Sequence, residues 1–252
     1  CDVDYLFAQV GVGQKSVDTR PNCGNMLSGV APFAIEQGLV QAKDGETTVR
    51  VFNVNTRSRI DVTVLTPGRR VAYHGQTSID GVAGTAAPIR LNFLDAWGAV
   101  TGSLFPTGQR IDVIDGLQVT CIDAAMPLVI VRASDLGRTG DETVAELNAD
   151  AELKARLERL RLACGHAMQL GDVTAKNYPK MTLVAPPRAG GHIATRSFIP
   201  HECHDAIGVL AAVTVGTACV LEGSVAHAVA RLPAGNPKSI SVEHPTGEFS
   251  VE

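Results

Sequence analysis

Alternating apolar and polar residues run through most of the first 130 positions of the chain. This period of two predicts β-strands with one face turned to a core, and glycine and proline residues separate the runs. The predicted strands cover residues 4–10, 47–53, 60–65, 89–94 and 117–122. The first half of the chain is therefore predicted to be rich in β-structure.

A run with a different period interrupts these strands at residues 22–39. Its apolar side chains are Met26, Val30, Phe33 and Ile35. The run ends near Gly38, a residue type suited to the end of a helix. We predict a buried central helix over about residues 24–38. Because Pro32 lacks a backbone donor, we expect a kink or an irregular first turn at that position.

The second half contains a polar helical run followed by an apolar one. Residues 141–168 combine spaced leucines with Glu, Lys and Arg, which predicts an amphipathic surface helix. Two strands are predicted next, at 180–185 and near 192–198. The apolar run at 204–221 then predicts a second buried central helix.

Strands accompanied by one apolar helix occur twice, which indicates a repeat of two units. We place these units at residues 1–115 and 116–252, without a sharp crossover. A helix that is apolar all round must be enclosed, so the strands of each unit are expected to curl around it. A β-sandwich with one additional helix would give a similar pattern, and periodicity leaves that alternative open.

Composition excludes several classes of protein. The chain has 252 residues, of which 45% are hydrophobic and 19% charged, as is typical of a globular protein. A net charge of -4 without grouped Lys or Arg offers no basic surface to nucleic acid. The apolar run 206–221 would span only about 24 Å as a helix, short of the roughly 30 Å of a hydrocarbon core. The six cysteines form no CxxC pair, which favours a reduced, cytoplasmic setting.

Cys23 is the first candidate for chemistry because the stretch Asn22-Cys23-Gly24-Asn25 opens the first predicted helix. The positive end of a helix and its N–H groups stabilise a thiolate. The same N–H groups can bind a substrate carboxylate or a developing enolate oxygen. The alternative is a buried cysteine that only packs beside a capping asparagine.

The segment before the second apolar helix holds further candidates. Arg196 could clamp a carboxylate with two hydrogen bonds, or form an exposed ion pair. His201, Cys203 and His204 resemble part of a metal site, but adjacent helical positions point in different directions and no fourth ligand follows, so zinc is not expected. His244 and Thr246 lie in a turn that could bind carboxylate oxygens or merely reverse the chain. Motifs of phosphate loops, dinucleotide folds, serine hydrolases and zincins are absent from the sequence.

Three segments resemble the methylaconitate isomerase (PrpF-type) family, which shares the diaminopimelate-epimerase fold. They are 22–38 (NCGNMLSGVAPFAIEQG), 195–204 (TRSFIPHECH) and 243–252 (EHPTGEFSVE). The resemblance implies an α+β fold of two pseudo-symmetric halves, each a β-barrel-like sheet around a central helix, with the active site in the cleft between them.

The resemblance also implies the site residues and the partner. Cys23 would handle a proton together with a lysine from a glycine-rich segment near the N-terminus, without a metal ion or coenzyme. The implied substrate-binding residues are Asn22, Gly24, Asn25, Arg196, His204, His244, Thr246 and Gly247. The implied partner is a small polycarboxylate, not nucleic acid or a membrane, and a homodimer remains open.

Two departures from the family pattern affect these expectations. The lysine segment would lie upstream of Cys1 and further strands would follow Glu252, so we expect a fragment whose own activity is open. At residues 123–127 (DAAMP) the family pattern predicts an Asn-Gly or Gly-Asn pair near the proline. Loss of that amide leaves the substrate preference open.

The activity that the resemblance implies is an isomerisation by proton transfer on an unsaturated polycarboxylate. Tautomerisation or allylic isomerisation of 4-oxalomesaconate is the first expectation, and isomerisation of methylaconitate or methylitaconate is the alternative. An amino-acid racemase of the same fold should have a thiol in a CGxG setting at both helix starts. Here Cys23 is followed by Gly24 but has Met26 at the fourth position, and Cys203 near the second helix start is followed by His204. A non-catalytic protein that binds small carboxylates is the alternative from another class.

Overall fold

The computed structural model describes residues 1–10, 17–19 and 22–252. They form a mixed α+β structure with two compact units, Cys1–Ala99 and Val100–Glu252. The sequence prediction placed the crossover further along, near residue 115. The segment after Ala99 belongs to the second unit because the buried Asp123 carboxylate accepts hydrogen bonds from the backbone N–H groups of Val100 and Thr101, at 2.9 and 2.8 Å.

The first unit is built on a four-stranded sheet with the order β1-β4-β5-β6. β1 runs parallel to β4, the other pairs are antiparallel, and β2 pairs with β3 separately. The strands are β1 (Val3–Tyr5), β2 (Gln9–Val10), β3 (Val17–Asp18), β4 (Gly45–Asn53), β5 (Ser58–Thr66) and β6 (Ile89–Phe93), and a 3-10 helix covers Pro67–Arg69. The prediction of one strand over 4–10 is wrong. The Asn55 amide bonds both the N–H and the carbonyl of Phe7, at 2.8 Å each, which occupies the backbone groups a continuous strand would need.

Two short helices, α1 (Gly24–Ser28) and α2 (Val30–Glu36), replace the single helix predicted over 24–38. They are divided at Gly29, and Pro32 stands in the first turn of α2. This agrees with the expected start-turn irregularity, since Pro32 has no N–H group to pair with the Ser28 carbonyl. Leu27, Ala31 and Ala34 pack on apolar side chains of β4 and β5. The prediction of a helix buried on all sides is wrong here, because Met26 and Phe33 are each 60% exposed.

The second unit contains a seven-stranded sheet with the order β13-β12-β11-β10-β9-β8-β7. Pairs β9–β10 and β11–β12 are parallel, and the remaining pairs are antiparallel. The strands are β7 (Asp112–Ile114), β8 (Leu117–Asp123), β9 (Pro127–Arg132), β10 (Lys180–Ala185), β11 (Ile193–Phe198), β12 (Ile240–His244) and β13 (Gly247–Val251). The helices are α3 (Val144–Ala149), α4 (Ala151–Ala167) and α5 (Val209–Val220), with a 3-10 helix at Ala133–Leu136.

One face of this sheet carries α3 and α4. Leu153, Leu157 and Leu160 of α4 enter a core with alternate residues of the strands, which confirms the amphipathic pattern. The predicted run over 141–168 is divided at Asp150, whose backbone leaves the helical region and whose carboxylate accepts the Leu153 N–H at 2.9 Å.

The other face carries α5, which contacts β8 and β9 as well as β12 and β13. These strands lie toward opposite ends of the sheet. The helix begins at Val209, five residues later than the prediction of 204–221. The preceding residues hydrogen-bond to β11 and to the β12–β13 turn instead of forming helical turns. Across the described ranges, no helix has both the length and the apolar character that a membrane crossing requires.

Candidate active site

Cys23 stands at the start of α1, as predicted, in the N-cap position. Its backbone is extended, with φ -135° and ψ 108°, and its carbonyl accepts the Leu27 N–H at 3.0 Å. No side chain that the structure describes caps this helix, and Cys23 is half-buried. Gly24 and Asn25 follow as the first two helical residues, so their N–H groups belong to the first turn, which has no partner within the helix.

Asn22 fixes the Cys23 loop to the sheet. Its Oδ1 accepts one hydrogen bond from the Cys23 N–H at 2.8 Å and one from Asn53 Nδ2 at 2.7 Å. Asn53 ends β4, is fully buried, and binds the N–H groups of Asn55 and Thr56 through its own Oδ1. Sequence reasoning missed Asn53, although an amide at the end of an apolar strand was a visible signal.

A second group of predicted residues meets in the other unit. The Thr246 hydroxyl donates to the Asp205 carbonyl at 2.9 Å, and His244 Nδ1 lies 3.2 Å from the same hydroxyl oxygen. The turn that joins β12 to β13, which includes Gly247, is thereby held against the residues that precede α5. Asp205 was not predicted, because its role uses only its backbone carbonyl.

His204 is held beside this turn with one ring nitrogen engaged. Its backbone N–H donates to Ser197 at 2.8 Å, and its Nδ1 accepts the Ala206 N–H at 2.8 Å. A neutral imidazole that accepts at Nδ1 carries its proton on Nε2. The half-buried His204 can therefore donate a hydrogen bond from Nε2 to an oxygen atom.

The structure does not bring Arg196 together with His204 and His244. Residues two apart on a strand share a face, so Arg196 projects with Ala194 and Phe198 into the α4 side of the sheet. Its Nε donates to the Glu142 carbonyl at 2.7 Å and its Nη1 to the Thr195 carbonyl at 2.8 Å. These contacts give Arg196 a structural role in the α4 layer.

The residues considered for zinc also separate. Cys203 is buried on the α4 side, and burial raises its pKa to about 11, so it stays a protonated thiol near neutral pH. His201 is exposed and lies 3.5 Å from a carboxylate oxygen of Glu158. Within the part of the chain that the structure describes, no three His, Cys, Asp or Glu side chains are grouped as a metal ion requires.

The β8–β9 turn lies where the family pattern predicted an amide. Asp123 Oδ2 accepts three hydrogen bonds from Val100 and Thr101, whereas Oδ1 is buried without a partner among the described residues. Burial raises the pKa of Asp123 and outweighs those hydrogen bonds, which lower it. Ala125 has a φ of 82°, a left-handed conformation that glycine and asparagine adopt more readily than alanine. The backbone of this turn therefore suits the glycine or asparagine of the expected Asn-Gly or Gly-Asn pair at position 125, where this chain has alanine.

Comparison with known proteins identifies the family. The family model described as PrpF protein matches residues 1–252. The chain belongs to the PrpF family. This confirms the resemblance of residues 22–38, 195–204 and 243–252.

Curated members of the PrpF family give the best guide to chemistry. The chain is 55% identical over 249 residues to the (4E)-oxalomesaconate Delta-isomerase of Novosphingobium sp. strain KA1, covering 99% of this chain and 70% of that enzyme. It is 52% identical over 251 residues to the 4-oxalomesaconate tautomerase of Pseudomonas putida KT2440, covering 100% of this chain and 70% of that enzyme. The 3-methylitaconate isomerase of Eubacterium barkeri is 32% identical over 273 residues, covering 99% of this chain and 72% of that enzyme.

A solved structure of the same kind matches the fold. The crystal structure of methylitaconate-delta-isomerase superposes with a TM-score of 0.88 at 30% sequence identity, covering 98% of this chain and 70% of that one. These PrpF-family relatives are isomerases or tautomerases. The comparisons therefore confirm the prediction of an isomerase and of a mixed α+β fold.

Proposed function

We propose that this PrpF-family protein is an isomerase that moves a proton on an unsaturated polycarboxylate, with 4-oxalomesaconate as the substrate. One observation carries this proposal. The two curated relatives with 55% and 52% identity, which match 99% and 100% of this chain, are both named for oxalomesaconate. Identity at this level over the whole chain favours a shared substrate class.

Cys23 is the proposed acid/base group. In the proposed reaction its thiolate accepts a proton from a carbon next to, or conjugated with, a carbonyl group, and the electron pair of the broken C–H bond forms a dienolate. The proton then returns to another atom of the same molecule. The N-cap position supports this role, because Asn22 and Asn53 hold the backbone of Cys23 in place directly before the first N–H groups of α1.

The substrate-binding residues are proposed in two groups. Asn22, Gly24 and Asn25, the neighbours of Cys23 in the sequence, form the group in the first unit. In the second unit the proposed donors to substrate carboxylates are His204, His244, Thr246 and Gly247. The contact of Thr246 with Asp205 supports this group, because it holds the turn beside the residues that lead into α5. Arg196 stays a prediction from the family resemblance, since its structural contacts lie on the opposite face of the sheet.

The finer description of the fold is also proposed. We infer that the two units are the halves of a diaminopimelate-epimerase-like fold, with α1 and α2 in one half and α5 in the other as central helices. The contacts of α5 with strands toward both ends of the seven-stranded sheet support this for the second unit. The free cysteines of the described chain are compatible with the cytoplasmic location that we propose.

A second candidate substrate is methylitaconate or methylaconitate. The likeness to methylitaconate-delta-isomerase, at a TM-score of 0.88, supports it. Its sequence identity of 30% is well below that of the oxalomesaconate enzymes. We therefore place this substrate second.

Steady-state assays of isomerisation test the proposal. Both substrates are assayed with a chain extended to the length of the relatives, since the present sequence spans 70% of the two oxalomesaconate enzymes. We expect a preference for 4-oxalomesaconate and a loss of about a hundredfold to ten-thousandfold in kcat for Cys23→Ala. Cys1→Ala, which removes an exposed thiol, is the matched control and should leave kcat unchanged. Full activity of Cys23→Ala rejects the acid/base role, and binding without turnover in the parent protein supports a carboxylate binder instead.

A further inference from the structure

Tyr5 lies beside the sheet residue that holds the Cys23 loop. It is the last residue of β1, and the parallel pairing of β1 with β4 places it opposite Asn53. Paired residues of neighbouring strands project from the same face of a sheet. The Tyr5 ring accordingly packs against the core under α1, which includes Leu27 and Val51.

The hydroxyl group of Tyr5 is buried and has no hydrogen-bond partner among the residues that the structure describes. Buried polar groups in native proteins are nearly always paired, so this hydroxyl needs an explanation. Burial raises the pKa of Tyr5 to about 12, with a smaller contribution from the charge of the Cys23 thiolate. The phenol therefore keeps its proton at neutral pH and is available as a hydrogen-bond donor.

Two hydrogen bonds connect the strand position opposite Tyr5 to Cys23. Asn53 Nδ2 donates to Asn22 Oδ1 at 2.7 Å, and the Cys23 N–H donates to the same oxygen at 2.8 Å. The loop that carries the thiol is thus fixed to the end of β4, next to the end of β1. The Cys23 sulfur accepts stronger hydrogen bonds as a thiolate than as a thiol.

We propose that Tyr5 is a positioning residue for proton transfer at Cys23, and that its hydroxyl donates a hydrogen bond to the Cys23 sulfur when the sulfur is anionic. The inference rests on the acid/base role proposed for Cys23. A hydrogen bond to the charged form of a group favours that form, so Tyr5 increases the thiolate fraction at a given pH. Tyr5 keeps its own proton throughout, and its bond fixes the direction in which the sulfur faces the substrate.

The test measures the pH dependence of Cys23 alkylation by iodoacetamide in the absence of substrate, followed by peptide mass spectrometry. Tyr5→Phe removes only the hydroxyl oxygen. We expect the pH midpoint of Cys23 alkylation to rise by about half a unit or more. At a pH below the midpoint, this shift lowers the fraction of thiolate about threefold. The exposed Cys1 of the same chain is the internal reference. Tyr73→Phe is the matched control, because the Tyr73 hydroxyl donates to Glu36 at the surface and should not affect Cys23.

A purely structural role for Tyr5 predicts a different result. Removing an unpaired hydroxyl would then leave the Cys23 midpoint unchanged and preserve or raise the melting temperature. That result overturns the proposal. In the extended chain, Tyr5→Phe should lower kcat about tenfold with little change in KM, because the hydroxyl does not touch the substrate. A rise in KM without a fall in kcat also overturns the proposal.

A second substitution keeps the test decisive if Tyr5→Phe does not fold. Incorporation of 3-fluorotyrosine, in a chain whose other tyrosines are replaced by phenylalanine, retains the hydroxyl and makes it a stronger donor. The Cys23 midpoint should then fall, and an unchanged midpoint contradicts the proposal. Since no turnover is involved, alkylation tests the proposed hydrogen bond from Tyr5 to Cys23 even if Cys23→Ala leaves isomerisation intact and the proposed function fails.

Discussion

His204 is the residue of the second unit whose chemistry the structure defines most closely. The Ala206 N–H occupies Nδ1 at 2.8 Å, which leaves Nε2 as the ring nitrogen that can donate to the substrate carboxylate in our proposal. A hydrogen bond to a charged group contributes about 1.5–3 kcal/mol, so His204→Ala should lower kcat/KM about tenfold to a hundredfold. His201→Ala, which removes an exposed imidazole beside Glu158, is the control and should change kcat/KM little. Equal effects of the two substitutions would contradict a substrate contact of His204.

Asp123 gives a prediction about stability and pH. Its pKa is raised by burial, so in the folded state the protonated form is favoured and the stability of the parent protein falls as pH rises through that pKa. Asp123→Asn keeps an acceptor for the Val100 and Thr101 N–H groups and removes the buried charge. We expect the variant to be more stable than the parent by about 1 kcal/mol at pH 7, and the difference to shrink in acid as Asp123 of the parent takes up its proton.

Urea unfolding at several pH values measures this difference. The control is Asp172→Asn, an exposed position at which hydrogen bonds from the Thr174 backbone and side chain lower the pKa of the aspartate. Its effect has the opposite sign: the parent is the more stable protein at neutral pH, and the difference disappears as pH falls. A difference for Asp123→Asn that stays constant from pH 7 into acid contradicts the assignment of a buried, titrating carboxyl group.

At the scale of elements, α5 is packed against β13 through a glycine. A Cβ atom at Gly216 would lie 2.5 Å from Cγ2 of Val251, so Gly216→Ala should destabilise the protein by about 1–3 kcal/mol. Gly29, between α1 and α2, has a helical φ of -76° and room for a Cβ atom, with the Met26 carbonyl oxygen at 3.5 Å. Gly29→Ala should therefore stabilise the protein by about 0.5–1 kcal/mol. Urea unfolding measures the change in the free energy of unfolding for both variants, and the two changes should have opposite signs. A Gly216→Ala variant that is more stable than the parent disproves the close packing of α5.

The same elements show how far the sequence specifies the fold. Strands β4, β5, β6, β8 and β10 lie within two residues of their predicted ends, because alternation with period two and flanking Gly or Pro residues are local signals. The strand predicted at 4–10 was divided by the Asn55 side chain, a partner 48 positions from Phe7 in the sequence. The late start of α5 has a similar cause, since Ser197 and Thr246 hold the residues before it. Contacts between distant positions cannot be deduced from local periodicity.

At the scale of the whole molecule, candidate residues could be predicted more readily than their grouping. The position of Cys23 at a helix start followed from the sequence. The structure adds Asn53, which binds Asn22, and Tyr5, which lies opposite Asn53 on the neighbouring strand. Arg196 illustrates the limit of sequence reasoning. A one-residue difference in strand position decides which face a side chain occupies, and sequence alone did not assign the faces of β11.

The central claim is that Cys23 transfers a proton on an unsaturated polycarboxylate. Proton NMR of 4-oxalomesaconate in deuterium oxide tests it most directly, with a chain extended to the length of the PrpF-family relatives. We predict that deuterium enters the carbon-bound positions next to the carbonyl or the double bond, and that Cys23→Ala abolishes this exchange whereas Cys1→Ala leaves it intact. Exchange that continues at the parent rate in Cys23→Ala, or its absence from the parent protein while the substrate binds, would contradict the account.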